Sequence, residues 1–113
     1  MSENKAAQEA QETIKQLQSI EQNMQNIMMQ KQAFQAQLIE VESALSELEK
    51  AKTAYKIVGN IMVSADREEL KKDLTEKKEM AEVRINTLEK QEDKMREQAS
   101  KLQNDVLEKL GKK

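Results

Sequence analysis

The sequence predicts a mostly α-helical protein: a long antiparallel two-helix coiled coil joined by a single β-hairpin. Three observations lead there. Two long stretches carry apolar side chains at alternating steps of three and four. The short segment between them switches to Tyr, Ile and Val around a Gly-Asn pair. The composition suits helices better than a globule: 35% of the 113 residues are charged, Phe34 and Tyr55 are the only aromatic residues, Pro is absent and Gly occurs twice. A compact globule needs more large apolar side chains and more turn residues. A mean hydropathy of -0.88 would also fit a disordered chain, but such chains run rich in Pro and Gly and lack an apolar period. The chain reads as one domain over residues 1–113, with a first coil helix over 5–50, a hairpin over 54–65 and a second coil helix over 66–110.

The first helix carries its seam at Ala10, Thr13, Leu17, Ile20, Met24, Ile27, Lys31, Phe34, Leu38, Val41, Leu45 and Leu48. Ten of these twelve are apolar, and the positions between are mostly Gln, Glu, Ser and Lys. Steps of three and four average 3.5 residues, the repeat that keeps a stripe facing a partner in a left-handed coiled coil. A helix of this length, about 60 Å at 1.5 Å per residue, cannot bury its own stripe and requires a partner helix.

The segment between the helices, Thr53 to Ser64, carries the hairpin pattern. Two short β-rich runs flank Gly59-Asn60, with Gly supplying a positive φ in a two-residue turn. Val58 then pairs with Ile61, Ile57 with Met62 and Lys56 with Val63. Strand alternation sets Val58, Ile61 and Val63 on one face and Tyr55, Ile57 and Met62 on the other. Both faces are apolar, an isolated two-stranded hairpin is marginal in water, and both edges are open. The hairpin residues Tyr55, Ile57, Val58, Gly59, Ile61, Met62 and Val63 are therefore expected to meet hairpins of other chains.

The second helix opens with Asp66 and Glu69, spaced as a capping box, and Leu70 starts the apolar repeat. Its seam is Leu74, Lys78, Ala81, Ile85, Leu88, Glu92, Met95, Ala99, Leu102, Val106 and Lys109, of which eight of eleven are apolar. Opposite charges four apart (Glu68 with Lys72, Asp73 with Lys77, Glu97 with Lys101, Asp105 with Lys109) are expected to support it, and Gly111 to stop it.

A two-residue turn sends the helices back along each other. Pairing residues whose numbers add to about 122 or 123 aligns both seams: Leu48 meets Leu74, Val41 meets Ala81, Phe34 meets Leu88, Ile27 meets Met95 and Leu17 meets Val106. The polar interruptions then coincide, Lys31 with Glu92 and Thr13 with Lys109. Lys31 and Glu92 are candidates for fixing the register, because a one-heptad slip strands both charges among apolar neighbours. The alternative is a Lys that snorkels outward and a Glu bound to Arg96 on its own helix. Ile14, Leu107 and Leu110 lie off the seams and gather at the end farthest from the hairpin. They either broaden a frayed coil end or form a greasy patch for a partner or an unfolded chain. Met28, Met29 and Ile39 flank the middle of the first seam.

Catalysis is not expected. Without His or Cys there is no Ser-His triad, thiolate nucleophile or zinc site. The carboxylates Glu68, Glu69, Glu79, Glu82 and Glu89 alternate with Lys as a solvated helix face does. A Gly-rich phosphate loop is missing, and no cofactor is implied. A formal charge of -2 with basic pairs flanked by acids argues against nucleic acid. No apolar run approaches a membrane span, and the start has no signal-peptide core. A soluble, cytoplasmic protein is the expectation.

Gln30-Lys31-Gln32, Ala44-Leu45-Ser46-Glu47-Leu48 and, most specifically, Tyr55-Lys56-Ile57-Val58-Gly59-Asn60-Ile61-Met62-Val63 make the chain resemble the β-type subunits of archaeal prefoldin. The resemblance covers nearly the whole chain, and one hairpin rather than two marks the β-type over the α-type. It implies a hexamer of two α-type and four β-type subunits, with hairpins joined into intersubunit β-barrels and coiled coils projecting from them. It also implies an ATP-independent chaperone that holds unfolded proteins between the coil tips and passes them to a group II chaperonin. The tips map here to the end carrying Ile14, Leu107 and Leu110, without a motif that singles out those residues. The competing reading is a structural coiled-coil tether or filament subunit whose hairpin is a polymerisation joint.

Overall fold

The computed structural model describes residues 2–111. Helix α1 runs Ser2–Lys50, strand β1 Ala54–Val58, strand β2 Ile61–Ala65 and helix α2 Arg67–Gly111. The strands form one antiparallel two-stranded sheet, and the two long helices pack together. Gly111, where a stop is expected, is helical and is the last described residue. Neither helix is long and apolar enough to cross a membrane.

Why the helices form is visible in where their residues lie. All twelve positions of the first seam are buried or half-buried, and nearly every other described residue of α1 is exposed. On α2 the seam holds from Leu74 to Val106. Lys109 is the exception: it is exposed, and its Nζ reaches Glu9 Oε1 at 3.8 Å. A long cation near a helix end gains more from water and a carboxylate than from an apolar seam. Thr13, expected to face Lys109, instead donates its Oγ1 hydrogen bond to Glu9 O at 2.9 Å on its own helix. That internal bond is what lets a hydroxyl sit 8% exposed in the stripe.

The chain divides into two compact units. The first comprises Met1–Gln30 and Thr87–Lys113. Its core is Ala10, Ile27 and Leu88, with Thr13 and Glu92 as buried polar members. Ile20 and Leu102 share one surface furrow, and Met24 and Ala99 share another, which is the seam pairing expected from the residue numbers. The second unit, Lys31–Asn86, holds the hairpin and the helix segments that flank it. Val41, Leu48 and Ala81 are its buried core. Glu42 pairs with Lys78 and Glu49 with Lys71, each at 3.8 Å, beside the seam layers Val41/Ala81 and Leu48/Leu74.

No large side chain in either unit falls below 2% exposure among the described residues. Two helices alone leave most of the larger seam residues half-buried, so stability is spread over many partial contacts rather than concentrated in a few. The expected charge ladder along α2 closes differently. Glu68 bonds its neighbour Arg67, Lys109 crosses to Glu9, and Glu92 lies against Arg96 four positions on. Exposed pairs differ by only a few tenths of a kcal/mol, so small differences in rotamer and reach decide among them.

Candidate functional site

The hairpin register is Ala54↔Ala65, Tyr55↔Ser64, Lys56↔Val63, Ile57↔Met62 and Val58↔Ile61, as the residue pattern predicted. Directly opposed residues share a face, so one face carries Val58, Ile61 and Val63 and the other Tyr55, Ile57 and Met62. Gly59 has φ 62, and among the described residues no non-glycine residue has a positive φ, Asn60 included. A two-residue hairpin turn with positive φ at its first central position alone is type II′.

Exposure separates the strand residues. Ala54, Val63 and Ala65 are half-buried near the base of the hairpin. Tyr55 is 58% exposed, Ile57 72%, Val58 57%, Ile61 64% and Met62 67%. Five large apolar side chains thus stand in water on a ten-residue sheet whose outer backbone edges pair with nothing else in the sheet. Among the described residues this is the densest run of exposed apolar side chains, and isolated soluble surfaces avoid such exposure.

Ile14, Leu107 and Leu110 are also exposed, at 40%, 66% and 61%. All three belong to the unit that contains both chain ends, where Lys109 and Glu9 bridge the helices. Lys31 is half-buried on α1 and belongs to the hairpin-bearing unit. Glu92 is 8% exposed on α2, with Oε1 4.0 Å from Arg96 Nη2. Met28, Met29 and Ile39 are exposed along α1, as are Met80 and Val83 along α2. The last two were not singled out in the sequence, although the same search for apolar residues off the seam finds them.

One residue with a structural role was missed outright. Arg67 lies at the start of α2 and hydrogen-bonds backbone carbonyls at the end of α1. Asp66 sits at the N-cap position, its carbonyl accepting the first helical bond from Leu70 N–H at 2.9 Å. The side-chain bonds at this corner come from Arg67 rather than from the expected Asp66–Glu69 box. The arrangement offers apolar surface and open strand edges, which are means of association. Among the described residues no group of three or more acidic side chains is placed to hold a metal ion.

The sequence pattern of the Prefoldin subunit family matches residues 11–113. Prefoldin subunit beta of Archaeoglobus fulgidus is 42% identical over 98 residues, which cover 84% of this chain and 84% of the relative. Prefoldin subunit beta of Sulfurisphaera tokodaii is 36% identical over 107 residues, covering 92% of this chain and 86% of that one. The crystal structure of the prefoldin beta subunit from Thermococcus strain KS-1 matches with a TM-score of 0.84 at 35% identity, over 90% of this chain and 92% of the other.

Proposed function

Because the chain belongs to the prefoldin subunit family, as a relative of its archaeal beta subunits, we propose that it is one arm of an ATP-independent holdase. Its hairpin joins those of other subunits, an α-type partner among them, in intersubunit β-barrels. The assembly is a hexamer of two α-type and four β-type chains working in the cytoplasm. Tyr55, Ile57, Val58, Gly59, Ile61, Met62 and Val63 form the joint. Unfolded proteins are held at the coil tips, where Ile14, Leu107 and Leu110 supply apolar contact, and pass from there to a group II chaperonin.

The observation that carries this reading is the hairpin. Five of its large apolar side chains are more than half exposed within ten strand residues, whereas the exposed apolar residues of the helices are scattered along their length. Strand addition satisfies the open edges and covers both faces at once. Holding a client then requires no specific pocket. Several arms offering weak apolar contacts reach useful affinity through effective concentration.

The test has two parts. The mass of the chain in solution, alone and mixed with an α-type prefoldin subunit, is expected to rise to that of a hexamer in the mixture. The assembled protein, added at a stoichiometric ratio to a refolding client without nucleotide, is expected to suppress light scattering. Assembly with unchanged scattering favours the structural tether instead. A monomer under all conditions overturns both.

A further inference from the structure

The corner where the hairpin leaves the helices is held by a side chain that neither the seams nor the assembly reading explains. Helix α1 ends at Lys50 and, like any helix, leaves its last carbonyls without N–H partners from the next turn. Ala51 N–H turns back to Glu47 O at 3.1 Å and Leu48 O at 3.3 Å. The Arg67 guanidinium comes to the same place from the start of α2. Its Nε donates to Leu48 O at 3.1 Å and to Ala51 O at 3.2 Å, and its Nη2 to Glu49 O at 3.4 Å. The remaining arm turns outward, Nη1 to Glu68 Oε1 at 3.0 Å. The Arg67 side chain is 32% exposed against 74% for Glu68; its bonds to Leu48 O and Ala51 O are half-buried, and those to Glu49 O and Glu68 are exposed.

Chemistry and position agree. A planar guanidinium offers several donors at fixed angles, which a lysine ammonium does not. Positive charge at a helix C-terminus also complements the partial negative charge of the carbonyl end. The residues bracketed between the clamped carbonyls and Arg67 are the hairpin and its two short linkers. One side chain therefore closes the base of the hairpin.

We propose that Arg67 is a positioning residue that fixes the direction in which the hairpin leaves the helix pair, so that its apolar faces meet neighbouring subunits already oriented. The clamp stands on the hydrogen bonds alone; the consequence for neighbouring subunits rests on the assembly reading. A joint ordered within the free subunit no longer has to be ordered on association, which strengthens assembly without adding a contact.

Tyr55 makes this measurable, because it is the only Tyr in a chain without Trp and it lies on β1. In the isolated subunit, Arg67→Met is expected to speed the decay of Tyr55 fluorescence anisotropy. It should also accelerate amide exchange across residues 54–65 roughly tenfold, with helical circular dichroism unchanged. Glu68→Gln should leave both as in the parent, and Arg67→Lys should fall between. On mixing with an α-type subunit, the concentration for half-assembly should rise by a similar factor for Arg67→Met. If anisotropy and exchange match the parent, the clamp is overturned whatever the assembly does. If the hairpin loosens but half-assembly does not move, the positioning role is overturned. If Arg67→Met loses helicity, comparing Arg67→Lys with Glu68→Gln decides by the same two readouts. A parent chain that never assembles defeats the assembly reading and leaves the clamp result standing.

Discussion

Gly59 shows how a single backbone angle can be required when space is not. Its φ is 62, and a Cβ added there meets no atom within 4 Å. The cost of Gly59→Ala is therefore conformational alone, about 1–2 kcal/mol, and should appear as faster amide exchange in the hairpin with little change in the helices. The seam makes the opposite demand. Ala81 is 2% exposed and Leu88 7%. Ala81→Leu should overpack its layer and lower stability by about 1–3 kcal/mol, while Leu88→Ala should cost about 2–4 kcal/mol through the cavity it leaves. Ile39, 64% exposed, is the contrasting case: Ile39→Gln should stay within about 0.5 kcal/mol of the parent in denaturant unfolding.

Among the elements, the hairpin and the helices should fail independently. Ile57 and Met62 are opposed on one exposed face. The double variant Ile57→Lys, Met62→Lys places two cations where an intersubunit face is proposed. Solution mass is expected to fall to the monomer while helical circular dichroism stays near the parent; a retained oligomer would move the joint elsewhere. Ion pairs contribute little at this scale. Removing Lys78 from Glu42, both partly solvated at 3.8 Å, should cost under about 1 kcal/mol. Which elements form was legible in the sequence, down to the pairing of Ile57 with Met62. The corner that joins them was not. Arg67 reads as one more charged residue in a charged stretch, and nothing in its spacing points to carbonyls 16 to 19 positions earlier.

For the molecule as a whole, alignment of the two helices is the property to test. The seam arithmetic proposes Lys31 and Glu92 as the residues that penalise a slipped register. Lys31→Glu and Glu92→Lys should each lower the melting temperature, and the double reversal should restore most of the loss. Absence of rescue would leave the apolar layers as the sole register determinant, with Arg96 the sufficient partner of Glu92. Client capture is proposed for the unit that carries Ile14, Leu107 and Leu110, and assembly for the unit that carries the hairpin. Ile14→Gln, Leu107→Gln and Leu110→Gln together should therefore weaken suppression of client aggregation while leaving solution mass unchanged. Loss of the oligomer instead would mean that the tips and the joint are the wrong way round.

Residue pattern by itself determined both helices, all but one of the seam residues they bury and the hairpin with its register. These follow from side chains close in sequence: a 3.5-residue repeat selects a face, and a two-residue turn admits one in-register pairing of the strands around it. Tertiary structure alone decided the rest. It placed Arg67 on the carbonyls of α1, left Lys109 in solvent against Glu9, and let Thr13 satisfy its hydroxyl on its own helix. Each of those outcomes is a competition between partners of similar strength. Distance in the folded chain settles such competitions, and a linear pattern does not encode it.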